Sequence, residues 1–416
     1  MRNSTGWWIL LALIILLDIY FYQSLRVVTQ NASPRTRSIV HTGYWVISIG
    51  VVVLLIRMPY LHLERHSRFL RTTLFAIVSG WFFAKFFASL FFLIDDIRRL
   101  ALWIGANWFD KGNSLPSAAA GEGISRSVFL SWMGMVAGSG LFGTLIYGFG
   151  NKYRYQVRRV KLASPKIPAA FRGLKFVHIS DIHSGSFTRK DGVMKGINKI
   201  LKEKPDMILF TGDLVNNAAD EMDDYMDVFS QLRAPMGVYS ILGNHDYGDY
   251  VHWPSREARD QNLDKLKRIH SELGWKLLMN EHVSFERNGE KIALIGVENW
   301  SAKARFPKYG DLKKAHAGTE SHSFRILMSH DPSHWKTEVL DAYPDIDLML
   351  AGHTHGMQFG VEIPGFKWSP VQYMYKEWAG LYEKNGQKLY VNRGYGFLGY
   401  PGRVGILPEI TVFELA

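Results

Sequence analysis

Long apolar runs dominate the first 150 residues, and four of them approach the roughly 20 residues that a helix needs to cross a bilayer. These runs cover about 7–22, 39–56, 74–94 and 127–150. The first is short enough to resemble the apolar core of a signal peptide, but no small-residue cleavage site follows it and three more apolar runs do. The pattern predicts a transmembrane bundle of about four helices over residues 1–150.

After Gly173 short apolar runs alternate with longer polar stretches. The apolar runs predict strands at LKFVHIS, DMILF, GVYSIL, FRILMSH, IDLMLAG, KLYVN and EITVFEL. Helices are predicted at about 190–204, 220–232 and 255–273, and VSFERNGEKIALIG predicts a hairpin because Asn-Gly separates two strand-like runs. Strand–helix alternation followed by strand-rich sequence predicts a layered α/β domain with a mixed sheet over residues 173–416.

The segment between these halves, residues 151–172, is basic and contains proline. It predicts a juxtamembrane linker whose charges meet anionic lipid head groups. The whole chain has 49 Lys and Arg against 38 Asp and Glu, a net charge of +11, and much of the excess flanks the apolar runs. This clustering favours membrane lipids over nucleic acid, which requires basic and aromatic side chains interleaved on one face.

Lys and Arg at the ends of the apolar runs indicate orientation, because cytoplasmic flanks are enriched in both. With the N-terminus inside, ten lie on inner flanks, namely Arg2, Arg57, Arg65, Arg68, Arg71, Lys152, Arg154, Arg158, Arg159 and Lys161. Seven lie on outer flanks, namely Arg26, Arg35, Arg37, Arg98, Arg99, Lys111 and Arg126. We expect a multi-pass protein of the bacterial cell membrane, and the bias predicts that its C-terminal domain lies in the cytoplasm.

Two charged residues lie inside apolar runs, Asp18 in the first and Lys85 in the third. A charge inside a membrane is expensive and commonly functional. The alternative is a Lys85–Asp18 pair that holds the bundle together, which we favour because no other ionisable residue marks a transport path.

Polar residues follow five successive predicted strands, where ligands gather in α/β folds. The five groups are Asp181 with His183, Asp213, Asn244 with His245 and Asp246, His330 with Asp331, and His353 with His355. Cys is absent, so thiolate metal sites and disulfides are excluded. Oxygen and imidazole ligands suit Mn²⁺, Fe or Zn²⁺. Asp181, His183, Asp213, Asn244, His330, His353 and His355 are too many for one ion and predict two ions that share a carboxylate.

In their order and spacing, these DxH, GD, GNHD, lone His and GHTH motifs resemble the calcineurin-like metallophosphoesterase superfamily over about 173–415. The ending VNRGYGFLGYPGRVGILPEITVFEL also resembles its YkuE-like branch. The resemblance implies a layered α/β/β/α sandwich. Two features depart from the branch: Met357 stands where a second glycine usually follows GHTHG, and four apolar runs replace the usual single anchor.

The resemblance implies one metal ion on Asp181, His183, Asp213 and His355. It implies a second on Asp213, Asn244, His330 and His353, with Asp213 bridging. Two such ions about 3.5–4 Å apart hold the attacking and leaving oxygens of an in-line displacement at phosphorus, and a hydroxide between them attacks.

His245 is the candidate to protonate the leaving alkoxide, and Asp246 either orients His245 or caps the turn. We interpret His178 as a packed strand residue or a partner of a ligand, and Asp331 and His334 as partners of ligands or surface residues. Arg393 either meets a substrate phosphate or forms a structural ion pair.

The predicted function is therefore metal-dependent hydrolysis of a phosphomonoester or phosphodiester by a membrane-anchored enzyme. The aromatic segment 364–378, with Trp368 and Trp378, either grips a lipid or is ordinary packing; in the first case a phospholipid or a nucleotide-linked glycolipid such as UDP-2,3-diacylglucosamine is the expected substrate. The alternatives are a membrane sensor or transporter-associated protein whose phosphoesterase domain is regulatory, and an inactive binding module. The complete set of ligand residues argues against the inactive module.

Overall fold

The computed structural model describes residues 5–57, 68–108 and 125–416 and divides the chain into two compact units, Met1–Tyr147 and Gly148–Ala416. We call them the membrane unit and the C-terminal unit. Of the flanking charges counted above, Arg2, Arg65 and Lys111 lie outside the described residues.

Four helices make up the described part of the membrane unit: α1 Thr5–Val28, α2 Pro34–Arg57, α3 Arg68–Trp108 and α4 Arg126–Gly148. All four are long and apolar enough to cross a membrane, which confirms the predicted bundle. Helices α1, α2 and α3 extend past both ends of their apolar runs into polar flanks, whereas α4 ends at Gly148, two residues before the end of its predicted run. Large apolar side chains such as Val46 and Ile94 are exposed on these helices, as lipid contact requires.

Asp18 and Lys85 form an ion pair inside the membrane unit, with both side chains buried. The Asp18 carboxylate also accepts hydrogen bonds from the hydroxyls of Tyr44 and Ser48, each at 2.9 Å. These contacts join α1, α2 and α3, and removing either charge would leave the other buried without its partner, which is strongly destabilising. These contacts favour the structural interpretation of Lys85 over a transport path.

The C-terminal unit contains two six-stranded sheets and a two-stranded ribbon. In chain order the strands are β1 Gln156–Leu162, β2 Lys175–Ile179, β3 Met207–Phe210, β4 Val238–Ser240, β5 Lys276–Leu277, β6 Glu281–Arg287, β7 Glu290–Gly296, β8 Phe324–Met328, β9 Leu348–Ala351, β10 Val361–Ile363, β11 Phe366–Trp368, β12 Gly380–Lys384, β13 Gln387–Val391 and β14 Glu409–Leu415. The helices are α5 Lys190–Lys202, α6 Met226–Phe229, α7 Arg256–Glu272, α8 Leu312–His316 and α9 Leu340–Ala342.

The first sheet has the order β1-β14-β2-β3-β4-β5 and the second β12-β13-β9-β8-β7-β6. Strands β2 to β5 are mutually parallel, and so are β13, β9, β8 and β7. One apolar core contains residues of both sheets, among them Phe176, Leu209, Ile326 and Leu350. Helices α5 and α7 cover the first sheet and α8 covers the second, which confirms the predicted α/β/β/α sandwich.

The segment 151–172, expected as a linker, contains strand β1, which pairs in parallel with β14 from Gln156↔Glu409 to Leu162↔Leu415. Strand β1 lies at the edge of its sheet and leaves most of its side chains at least partly exposed, so its basic sequence does not resemble a buried strand.

The predicted helix at 220–232 is wrong. A short turn at Ala219–Met222 and the four-residue α6 take its place, because Tyr225 leaves the helical conformation with φ −125° and ψ 3°.

Candidate metal centre

The predicted ligand residues follow the carboxyl ends of parallel strands from both sheets, and the sandwich brings these ends together. Asp181 follows β2, Asp213 follows β3, Asn244 follows β4, His330 follows β8, and His353 and His355 follow β9. Five of them have positive φ angles: Asp181 at 53°, His183 at 49°, Asp213 at 61°, His353 at 70° and His355 at 51°. Such angles are uncommon outside glycine and concentrate at functional sites, where surrounding contacts hold the strain.

One group of potential ligands consists of Asp181, His183 and His355, whose ligand atoms all lie within 4.8 Å of one another. The His355 Nε2 atom is 3.2 Å from Asp181 Oδ1 and 3.0 Å from His183 Nε2. All three side chains are buried.

A second group consists of Asp213, His330 and His353, again within 4.8 Å. Asp213 Oδ2 lies 3.1 Å from His330 Nε2 in this group and 3.5 Å from His183 Nε2 in the first. Asp213 therefore occupies the position between the groups that a shared carboxylate requires.

One buried atom beside these groups, Asn244 Oδ1, has no hydrogen-bond partner among the described residues. An orphaned buried polar atom costs about 1–3 kcal/mol, which a bound cation would relieve. The Nδ1 atom of His330 donates to the Thr211 carbonyl at 2.7 Å, which directs Nε2 towards Asp213 as the candidate ligand atom. These residues fit a metal centre, and the two groups are compatible with a binuclear one.

The electrostatics of the site favour a cation. Burial raises the pKa of the Asp213 carboxyl, but the rings of His330 and His245 outweigh it and hold that pKa well below its ordinary value. Burial lowers the pKa of His330, but the Asp213 carboxylate outweighs burial and raises it to about 10. A position that attracts a proton so strongly has the negative potential that a divalent ion requires.

His353 is held from outside the ligand groups by Tyr375 and Asp331. The His353 Nε2 atom is 3.0 Å from the Tyr375 hydroxyl, which donates to Asp331 Oδ2 at 3.1 Å. Asp331 also accepts a hydrogen bond from the Ser301 hydroxyl. These contacts orient His353 and leave its Nδ1 as the available ligand atom.

His245 is oriented by a backbone carbonyl. Its Nδ1 atom is 2.7 Å from the Asn216 oxygen, and its backbone N–H donates to Asp213 Oδ1 at 2.9 Å. The ring lies 5.0 Å from the His183 ring, between centroids. Because Nδ1 contacts the Asn216 carbonyl, the Nε2 edge of the His245 ring is available to a substrate in the cavity that the ring lines.

The Asp246 carboxylate does not make the contact with the His245 ring that its predicted orienting role requires. It accepts backbone N–H bonds from Gly243, Asp213 and Leu214, each at 2.8 Å, and from Val215 at 3.2 Å. Asp246 therefore caps its own turn and holds the loop that carries Asp213, which matches the alternative interpretation of this residue.

Three other polar residues have structural contacts. Arg393 is buried in ion pairs with Glu409 at 2.5 Å and Glu362 at 2.7 Å, so it is not available to a substrate. His178 is buried with its Nε2 atom 2.9 Å from the Thr211 hydroxyl, and the His334 ring stacks on Trp300 with centroids 4.1 Å apart.

The aromatic segment is divided between core and surface. Trp378 is buried against Val371, Tyr375 and Ile406, so the lipid contact considered for it is wrong.

Met357 has φ 53°, a left-handed conformation that suits the glycine usually found at this position in the YkuE-like branch. A side chain there costs about 1–2 kcal/mol. The Met357 side chain is 52% exposed, so it meets no steric barrier.

A cavity of about 220 Å³ is lined by two kinds of side chain. The ligand wall comprises His183, Asp213, Asn244, His245, His353 and His355. The apolar wall comprises Phe306, Met357, Val371, Met374 and Leu398. Arg305 also lines the cavity, is exposed and forms no ion pair among the described residues. Sequence reasoning missed Arg305 and Tyr375 because neither belongs to a motif at a strand end.

Family comparisons agree with both units. Residues 1–151 match the family described as probable calcineurin-like phosphoesterase, transmembrane domain, and residues 174–357 match calcineurin-like phosphoesterase.

Three curated proteins illustrate the similarity. A transmembrane protein with metallophosphoesterase domain from Danio rerio is 26% identical over 414 residues, covering 96% of this chain and 86% of that protein. The uncharacterized metallophosphoesterase YkuE from Bacillus subtilis is 30% identical over 302 residues, covering 70% of this chain and 98% of that protein. The UDP-2,3-diacylglucosamine pyrophosphatase LpxG from Chlamydia trachomatis is 29% identical over 286 residues, covering 58% of this chain and 83% of that protein.

Proposed function

The chain belongs to the calcineurin-like metallophosphoesterase family, and from this premise we propose that it hydrolyses a phosphoester carried by a lipid or a nucleotide-linked glycolipid. The observation that carries the proposal is the cavity, where the ligand wall and the apolar wall line the same space. The first suits a phosphoryl group and the second an acyl or alkyl group beside it. The similarity to a relative named as a diacylglucosamine pyrophosphatase also supports a lipid-linked substrate.

We propose that two divalent ions, Mn²⁺, Fe or Zn²⁺, are held by the two ligand groups with Asp213 shared. One ion would take Asp181, His183 and His355, and the other Asn244, His330 and His353. When bound, the ions would offset negative charge on the phosphoryl oxygens and activate a water molecule as the nucleophile.

His245 is the proposed general acid. As the bond between phosphorus and the water oxygen forms, the bond to the leaving oxygen breaks, and a protonated His245 donates its proton to that oxygen. The Asn216 carbonyl fixes the ring through Nδ1, so the proton comes from the Nε2 edge. Arg305 supplies a guanidinium that can bind a non-bridging phosphoryl oxygen or a second phosphate of the substrate.

The alternative of a regulatory domain in a sensor or transporter has less support. In the described part of the membrane unit the mid-membrane charges Asp18 and Lys85 are paired with each other and bonded to Tyr44 and Ser48. These contacts connect three helices, which supports a structural role for the two charges over a transport path.

The test is a comparison of matched substrates. The full chain is purified in detergent with its metal, and product release is measured from long-chain lipid phosphoesters and from the same head groups without acyl chains. We expect kcat/KM at least about tenfold higher for the lipids, since each buried methylene contributes about 0.8 kcal/mol. Equal kcat/KM for both sets would reject lipid recognition, and no hydrolysis of any ester would favour a binding module.

We also propose that the C-terminal unit lies in the cytoplasm, from the ten basic residues on inner flanks against seven on outer ones. The chain contains no Cys, so a single Lys384→Cys variant can report its location. A membrane-impermeant maleimide should label it in inside-out vesicles and not in intact cells; labelling in intact cells would reverse the orientation.

A further inference from the structure

The ribbon β10–β11 has an apolar face that is open to its surroundings. Its antiparallel register pairs Val361 with Trp368 and Ile363 with Phe366, and cross-strand partners share one face of a ribbon. Val361 is 44% exposed, Ile363 58% and Phe366 54%. A soluble surface rarely collects large apolar side chains in this way without a partner.

The opposite face anchors the ribbon to the C-terminal unit. Glu362 accepts hydrogen bonds from Arg158 and Arg393, each at 2.7 Å. Lys367, its cross-strand partner, donates to the Ala379 carbonyl at 2.5 Å and to the Tyr382 hydroxyl at 3.1 Å. Charges on one side and apolar groups on the other make the ribbon amphipathic, and the anchored charges hold the apolar side outward.

The base of the ribbon is close to the point where the chain enters the C-terminal unit. The Gly360 N–H donates to the Val404 carbonyl at 2.9 Å, and the neighbouring Arg403 N–H donates to the Gly148 carbonyl at 3.0 Å. Gly148 is the last residue of α4, one of the helices able to cross a membrane. Within the C-terminal unit, two backbone hydrogen bonds therefore connect the ribbon base to Gly148, the first residue of this unit.

Further exposed apolar side chains lie on either side of the ribbon in the sequence, and two of them line the metal cavity. Tyr373 is 78% exposed, and Met357 and Met374, which line the cavity, are 52% and 44% exposed. Three residues of the apolar wall, Met357, Val371 and Met374, thus belong to the same stretch of chain as the ribbon, 357–374.

We propose that the apolar face of β10–β11, formed by Val361, Ile363, Phe366 and Trp368, inserts into the interface of the lipid bilayer and holds the cavity mouth at the membrane surface. Lipid is the partner we infer because the chain enters the C-terminal unit directly from a helix that is long and apolar enough to cross a membrane. The insertion delivers a lipid phosphoester to the metal centre while its acyl chains stay in the bilayer. This delivery step rests on the proposed lipid substrate.

Site-directed labelling tests the insertion directly, because the native chain contains no Cys. Ile363→Cys carries a nitroxide in the full chain reconstituted in phosphatidylethanolamine–phosphatidylglycerol nanodiscs. The matched control is Lys384→Cys, an exposed polar position beside the turn of another hairpin, β12–β13. We expect the Ile363 label to be relaxed by oxygen and protected from a water-soluble nickel chelate, and the Lys384 label to show the reverse.

Equal access of the nickel chelate to both labels would overturn the proposal. Protection of the Ile363 label that persists in detergent and rises with protein concentration would also overturn it, since that result assigns the face to a second copy of the chain. Protection independent of concentration and present only with lipid supports insertion.

A functional variant separates this proposal from the proposed function. Ile363→Glu combined with Phe366→Glu should raise the KM for lipid substrate in vesicles at least about tenfold, with hydrolysis of a small soluble phosphodiester unchanged. If the nitroxide shows no insertion but the native chain hydrolyses lipid esters, insertion fails and the proposed function stands. If insertion is present and no lipid ester is hydrolysed, the substrate proposal fails alone.

Discussion

The ligand wall and the apolar wall of the cavity differ in how the fold supports them. The ligand wall stands at the carboxyl ends of parallel strands. Its carboxylate and two of its four imidazoles are buried, and four of its six residues have positive φ. The apolar wall comes from loops and short turns between strands, and Met357 and Met374 in it are about half exposed. A rigid sheet edge suits the fixed geometry of hydrolysis, whereas loops can vary with the substrate.

Removing the shared carboxylate should have the largest effect, because Asp213 contacts residues of both ligand groups. We expect Asp213→Asn to lower kcat by about 10³-fold or more for lipid and small substrates alike. The amount of metal bound per chain should fall as well. Asp227→Asn is the matched control, since Asp227 forms an exposed ion pair with Lys190. Phosphate release and metal content are measured on the same samples. Near-native activity of Asp213→Asn would show that Asp213 is not a ligand of the metal centre.

His245 tests the assignment of the general acid within the ligand wall. His245→Gln should lower kcat about 10²-fold for esters with alkyl leaving groups and much less for a nitrophenyl ester, whose leaving oxygen needs no proton. Stopped assays with both esters at saturating metal measure the difference. An equal loss for the two leaving groups would contradict proton donation by His245.

Tyr375 connects the two walls, because it lines the cavity and its hydroxyl lies 3.0 Å from His353 Nε2. Tyr375→Phe removes that hydroxyl and should weaken metal binding about tenfold, as loss of a hydrogen bond to a ligand commonly does. The kcat at saturating metal should change little. Activity recovered during titration of metal into chelator-treated protein measures the effect, and an unchanged midpoint would show that Tyr375 does not support the centre.

The apolar wall should give the smallest and most selective effect. Met374→Gln keeps the length of the side chain and adds a polar group, so kcat/KM for a lipid ester should fall about fivefold to tenfold more than for a small ester, given about 0.8 kcal/mol per buried methylene. Lys376→Gln, an exposed change two residues away, serves as the control. A similar loss of kcat/KM for both esters would show that Met374 supports the stability of the fold rather than lipid recognition.

The difference between the walls also explains how far the sequence predicts the structure. The ligand residues were found because each short motif follows an apolar strand, so residue type and position are visible together. The four membrane helices follow from hydropathy alone. These features are local in sequence, and local patterns predict them.

The features that were missed depend on distant contacts. Strand β1 pairs with β14 across about 250 residues, and its exposed edge hides the alternation of a buried strand. Strands β10 and β11 have three residues each, too few to show periodicity. The role of Asp246 depends on the loop that carries Asp213, and Arg305 reaches the cavity from a loop without a motif.

The most direct test of a shared-carboxylate, two-ion centre is a metal titration that follows bound metal and hydrolysis together. Chelator-treated full-length protein is titrated with Mn²⁺, Fe²⁺ or Zn²⁺ in detergent, and both quantities are measured at each step. We predict about two ions per chain at saturation, with hydrolysis appearing as the second ion binds. Full activity with one ion per chain, or activity that survives complete removal of metal, would contradict the account.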